Sequence, residues 1–125
     1  MKSIKVRVAA DGTKGYFGRA RERARRLDRG EELEPAIIVS FENPADMMRV
    51  LSAERIRLLR LAKQKPAAVS DLASRLKRDT RAVSRDVDLL EEFGLLQSRY
   101  ETNPGHGTRR IIYSPARQYQ LLATI

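Results

Sequence analysis

The chain has 125 residues, 42% of them hydrophobic, with 25 Lys and Arg against 16 Asp and Glu, a formal net charge of +9, one His and no Cys. That length holds one domain, or a small domain with an appended arm; the lack of Cys excludes disulfides, thiolate metal sites and Cys nucleophiles; the charge favours a polyanionic partner. Apolar runs of four or five residues, as at Ala36–Val39, fall far short of the roughly 20 needed to span a bilayer, and the alternating Met1–Ala10 segment does not read as a signal peptide. A cytoplasmic protein with no membrane partner is therefore expected.

In chain order, Ile4, Val6 and Val8 alternate with Lys5 and Arg7, which predicts a strand over Ser3–Ala9. After the Asp11-Gly12 turn, Tyr16, Ala20, Ala24 and Leu27 recur at helical spacing, so Lys14–Arg29 reads as a helix closed by Gly30. It carries Arg19, Arg21, Arg23, Arg25, Arg26 and Arg29, a solvated face that could also meet a DNA backbone or an acidic partner. Glu31–Pro35 is an acidic connector, and the β-branched run Ala36–Phe41 is a buried strand. Asn43, Pro44 and Asp46 form an N-cap, N1 and N3 set that opens a short helix through Leu51. Ser52 caps the next helix, with a stripe of Ile56, Leu59 and Ala62, and Pro66 stops it. Val69 fits a short strand, and Ser70 is placed to cap the Asp71–Leu76 helix.

The most informative stretch is Leu72–Leu96. Leu72, Ala73 and Leu76 give one short helix an apolar face; Val83, Val87, Leu90 and Phe93 give a second, and Gly94 ends it. Lys77, Arg78 and Asp79 separate the two. A short helix, a tight turn and a longer helix with a basic leading end is the layout of a helix-turn-helix, whose second helix enters the major groove. From Arg75 to Arg85 there are five bases and one acid; from Asp86 to Phe93 there are four acids and no base. A helix built only for its own stability favours the reverse order, so the basic front points to an anionic partner. Two β-rich segments follow, Leu95–Glu101 and Thr108–Ser114, joined by a turn with Pro104, Gly105 and Gly107. They form a wing carrying Arg99, Arg109 and Arg110, with His106 at its tip. The tail from Tyr119 to Ile125 reads as either a strand or a short helix.

With Leu72-Ala73, Leu76, Val83-Ser84-Arg85, Val87, Leu90-Glu91 and Gly94-Leu95-Leu96 in place, the stretch resembles the winged helix-turn-helix of MarR-like regulators. The whole chain, through the Arg85-Asp86-Val87 triplet and the Phe41–Leu51 run, is also similar to the small archaeal and bacterial DNA-binding regulators found beside toxin genes. The resemblance implies an α+β fold, a winged helix-turn-helix preceded by a strand-helix-strand extension. It also implies a transcriptional regulator and, by genomic association, an antitoxin with a cognate toxin partner. Lys77 stands where many members have Gly. A left-handed non-Gly residue there costs on the order of 1 kcal/mol, so a differently built turn is one expectation.

The expected division is a 1–51 arm that dimerises and a 52–125 DNA-binding domain with its tail. The arm holds 11 bases and 8 acids, the rest 14 and 8, so the positive excess concentrates around the motif. Arg81, Ser84 and Arg85 are expected at base edges. Lys77, Arg78 and Thr80 at the helix mouth, and Arg99, His106, Arg109 and Arg110 in the wing, are expected at phosphates. Double-stranded DNA and a second copy of the chain are the expected partners. The alternative is an RNA-binding or ribosome-associated protein, which usually exposes aromatics for stacking; the four tyrosines instead fall mostly at apolar-face positions. One His, no Cys, no phosphate-cradling glycine loop and no metal-ligand cluster argue against an enzyme, and neither a cofactor nor an effector pocket is signalled.

Overall fold

The computed structural model describes residues 5–33 and 36–125. Ser3 and Ile4 of the first expected strand, and Glu34 and Pro35 of the connector, lie outside the described residues. The chain divides into two compact units: one contains residues through Arg49 together with Gln118–Ile125, the other is Val50–Arg117.

The first unit is built on a parallel sheet. Strand β1 (Lys5–Ala10) is followed by helix α1 (Gly12–Asp28) and strand β2 (Ala36–Ser40), a βαβ crossover. The tail is a strand, β6 (Gln118–Ala123), and it lies parallel to β1 on the side away from β2. β1 is therefore central, with Arg7 in register with Ile38 on one side and Gln120 on the other. The first unit ends at Arg49, two residues short of the expected division at 51, and the tail, expected with the winged domain, belongs to the N-terminal unit. Its six residues find in β1 a full row of unpaired backbone groups, which no local sequence signal announces. Val6, Val8 and Ala10 are buried to 1% exposure or less.

Helix α1 departs from expectation. Tyr16, Ala20, Ala24 and Leu27 share one side, yet no residue of α1 is buried, and Tyr16, Phe17 and Leu27 are more than half exposed. Arg19 bonds the Asp11 carboxylate and donates to Ser40 Oγ at 3.1 Å, tying the start of the helix to the end of β2. A Cβ at Gly15 would sit 2.0 Å from the Asp11 carboxyl carbon, so a larger residue there would push the Asp11 side chain out of its place beside Arg19.

A short helix, α2 (Pro44–Val50), opens as predicted, with Asp46 N–H donating to Asn43 Oδ1 at 3.0 Å. The second unit then contains α3 (Ala53–Gln64), strand β3 (Ala67–Ala68), α4 (Val69–Leu76), α5 (Thr80–Glu92), β4 (Gln97–Thr102) and β5 (Thr108–Tyr113). The Ser52 hydroxyl caps α3 by accepting from Arg55 N–H at 3.3 Å, as its position predicts. The short strand precedes Val69 and leaves Ala68, not Ser70, at the N-cap of α4. Pairing of Ala67 and Ala68 with Ile112 and Ile111 holds the backbone extended up to Ala68, and the helix begins at Val69, two residues earlier than the hydroxyl suggests. β3, β5 and β4 form an antiparallel sheet in that order. Leu58, Leu72, Val83, Val87, Leu90, Leu95, Leu96 and Ile112 are all under 2% exposed and make the core under α4 and α5. Phe93, expected on the buried stripe, is only partly covered.

Candidate nucleic-acid interface

The turn between α4 and α5 sets the geometry of everything in front of it. Lys77 adopts φ 54° and ψ 47°, the left-handed conformation, and is the single non-glycine with positive φ among the described residues. Its N–H donates to Ser74 C=O at 3.2 Å and that of Arg78 to Ala73 C=O at 3.0 Å, the paired bonds of a Schellman motif. Gly94 closes α5 with the same motif, its N–H donating to Glu91 C=O and that of Leu95 to Leu90 C=O, at 2.9 Å each. The turn is thus built as it would be with glycine, and Lys77 carries the strain. Asp79 begins α5 as its N-cap, Oδ1 accepting from Arg81 N–H at 2.7 Å. The sequence held this signal too, an Asp just ahead of the periodic run, but Asp79 reads there only as a turn residue.

Arg81 and Arg85 lie on the exposed side of α5, with Thr80 at its start and Ser84 half-buried beside them. Lys77, Arg81 and Arg85 make no ion pair among the described residues. The acids behind them have internal partners. Asp86 is 7% exposed and accepts from Arg55 Nε at 3.0 Å and from Arg78 Nη1 at 2.6 Å. Arg78 also reaches Glu54 at 3.2 Å, so one carboxylate and two guanidiniums fasten α5 to the turn and to α3. The hydrogen bond to Asp86 raises the Arg78 pKa above its ordinary value against the opposing effect of desolvation. Arg78, expected at a phosphate, therefore spends its donors inside the protein.

Arg110 does likewise. From β5 it donates to Asp88 at 2.8 Å and Glu91 at 2.7 Å, both on α5, and to Ser98 Oγ at 3.3 Å. Partial burial works to lower its pKa, and the bonds to Asp88 and Glu91 outweigh that and raise it. It is a brace between wing and recognition helix, not a free cation. Asp88 lies three residues beyond Arg85, on the same side of the helix, so Arg110 also cancels an acid that would otherwise face an incoming anion. The inverted charge order along α5 has two causes, then: an open basic front, and a rear in which Asp86, Asp88 and Glu91 are anchored by arginines.

The wing hairpin is β4 and β5, paired from Gln97–Tyr113 to Thr102–Thr108. Its tip holds a turn with Pro104 and the left-handed Gly105 at the central positions, closed by His106 N–H to Asn103 C=O at 2.8 Å. His106 is exposed at the tip, and Arg99 and Arg109 are half exposed. Both arginines lie within 3.6 Å of Glu101, and Arg99 also stacks 5.7 Å from the Tyr113 ring centre. Tyr100, expected in the core, is 69% exposed on the wing. It pairs with Arg110 across the hairpin and so shares the sheet face that Arg110 uses to reach α5.

Three core helices, a helix-turn-helix and a two-stranded wing define this unit as a winged helix-turn-helix. The chain belongs to the family HVO_A0114, which matches residues 50–115, just over half of its length. Among solved structures it is similar to a possible transcriptional regulator from Methanosarcina mazei Go1, at 20% identity and a TM-score of 0.51 over 57% of this chain and 63% of that one. A homodimeric winged helix-turn-helix fragment from Mycobacterium bovis, described as a possible ArsR-family regulator, shares 25% identity over 56% of this chain and 61% of that one, with a TM-score of 0.48. Reduced HlyU from Vibrio cholerae gives 20% identity, 56% and 70% coverage and a TM-score of 0.47. The chain spans less than two thirds of the length of the first two. No curated protein matches it. Among the described residues no helix is long and apolar enough to cross a membrane.

Proposed function

We propose that the chain is a sequence-specific double-stranded DNA-binding transcriptional regulator. The observation that carries this reading is the asymmetry of α5: Arg81 and Arg85 stand exposed and, among the described residues, without carboxylate partners, while Asp86, Asp88 and Glu91 of the same helix are held by arginines. Arg81, Ser84 and Arg85 read bases, the arginines suiting guanine O6 and N7. Lys77, Thr80, Arg99, His106 and Arg109 contact phosphates. Arg78 and Arg110 hold the helix and wing that carry these groups.

One short recognition helix meets only a few base pairs, so we propose a two-fold dimer on an inverted repeat with half-sites about one helical turn, roughly 34–36 Å, apart. The exposed Tyr16, Phe17 and Leu27 on α1 are apolar surface that a second copy could cover. The resemblance to regulators beside toxin genes favours an autoregulating antitoxin that also binds its toxin. The exposed Tyr100 favours the second reading, RNA binding, since an aromatic on a basic hairpin can stack on an unpaired base.

The test is to select duplexes from a random pool and compare Arg85→Ala with Arg109→Ala on the selected site and on random sequence. Arg85→Ala should lose about 1–3 kcal/mol on the selected site and relax the base preference there. Arg109→Ala should weaken both duplexes equally and reduce the salt slope by about 1. Equal losses on both duplexes for Arg85→Ala would remove its base-reading role, and tighter binding of single-stranded RNA than of any selected duplex would favour the second reading.

A further inference from the structure

The N-terminal unit holds a cleft that the DNA-binding reading does not use. Helix α1 stands over the sheet face bearing Lys5, Arg7, Ile38 and Leu122 without burying a residue of its own. Two adjoining cavities of about 280 and 340 Å³ lie there, and Arg7 and Ile38 line both. At one end Lys5 and Arg7 of β1 meet Arg23 and Arg26 of α1, with Glu32 the single carboxylate in that lining. Arg26 has Glu31 at 3.5 Å, but Lys5, Arg7 and Arg23 make no ion pair among the described residues. At the other end Ile38, Leu121 and Leu122 are 42%, 44% and 56% exposed.

Two features set this apart from a loosely packed surface. Like charges on facing elements repel, and a helix that served only to cover its sheet would turn its apolar side, Tyr16, Ala20 and Leu27, toward Ile38 and Leu122. Here Arg19, Arg23 and Arg26 line the cleft, while Tyr16, Phe17 and Leu27 stay more than half exposed. A concave, low-dielectric wall around several cations focuses their field and concentrates an anion. The apolar end, a few side chains away, offers surface for an apolar body. A duplex is too wide for cavities of this volume, and a single carboxylate would leave most of the cations unneutralised.

We propose that this cleft binds an amphiphilic organophosphate: a multiply charged phosphate head among Lys5, Arg7, Arg23 and Arg26, and an apolar tail along Ile38 and Leu122. Arginine forks suit the phosphate oxygens, and the tail covers surface that the fold leaves wet. This site does not depend on the reading of α5, because every residue in it belongs to the other unit.

The experiment titrates the full chain with decyl phosphate below its micellar concentration, with inorganic phosphate and decanol as separate arms, by calorimetry and amide chemical shifts. Decyl phosphate should bind one per chain, at least tenfold tighter than either fragment, with shifts confined to β1, β2, β6 and α1. The double variant Arg7→Gln/Arg23→Gln should weaken it at least tenfold with an unchanged melting temperature and unchanged affinity for a selected duplex. Leu122→Ser should weaken decyl phosphate but leave inorganic phosphate as it was. Decyl phosphate affinity no better than that of phosphate, or insensitive to the double variant, would overturn the proposal. So would a flatter salt dependence of duplex binding in the double variant, which would assign these cations to the DNA backbone.

Discussion

Lys77 offers the sharpest separation of stability from function. A non-glycine residue in the left-handed region costs roughly 1–2 kcal/mol, because its Cβ crowds the following carbonyl. Lys77→Gly removes that cost, while the added freedom of the unfolded chain returns about 0.4–1 kcal/mol of it. The two Schellman bonds are made by the backbone and survive the change, so the net gain should be about 0.5–1 kcal/mol. For a domain of this size that raises the melting temperature by roughly 2–8 °C. The same substitution removes an exposed cation at the mouth of α5, and each phosphate left without its cation lowers the salt slope by about 0.9. The variant should therefore melt higher and bind every duplex more weakly. Thermal melting and fluorescence anisotropy across a salt series measure both effects, with Lys77→Ala as the control. Alanine keeps the Cβ and so the strain, and should match the DNA-binding loss without the stability gain. If Lys77→Ala melts as high as Lys77→Gly, the strain argument fails; if Lys77→Gly keeps the parent salt slope, Lys77 does not meet a phosphate.

Asp86→Ala should destabilise the winged unit by about 2–3 kcal/mol, since it strands two partly buried arginines bonded to a buried carboxylate; denaturant unfolding measures it, and a loss under about 0.5 kcal/mol, the size of an ordinary surface substitution, would show the clamp to be idle. Arg110→Met should weaken DNA binding more than Arg109→Ala does, because it frees Asp88 and Glu91 beside the basic front and unties the wing; Arg110→Met combined with Asp88→Asn and Glu91→Gln should recover much of the loss, which titration of all three variants can check. Deleting residues 1–41 should give an aggregating protein, because it strips β6 of the central strand it pairs with. The 50–117 fragment should instead fold and remain monomeric, while the full chain scatters light as a dimer; a monomeric full chain at tens of micromolar would remove the proposed two-fold assembly.

Features governed by neighbours within one or two helical turns were legible in the sequence. The stripes Leu72–Ala73–Leu76 and Val83–Val87–Leu90 are buried as their spacing requires. Asn43 and Ser52 cap, Gly94 terminates, and Pro104-Gly105 turns the wing, because each of these acts on backbone groups only a few residues away. Tertiary structure alone decided the rest. A stripe shows which side of a helix is apolar but not whether anything covers it, and α1 has the stripe without the cover. Strand β6 joins β1 across more than a hundred residues, a pairing fixed by which edge is vacant. Arg78 and Arg110 look like the other arginines of the motif until a carboxylate is found within 3 Å, 8 residues away for one and 19 and 22 for the other. A charge is free or spent according to its neighbours in space, and composition counts both alike.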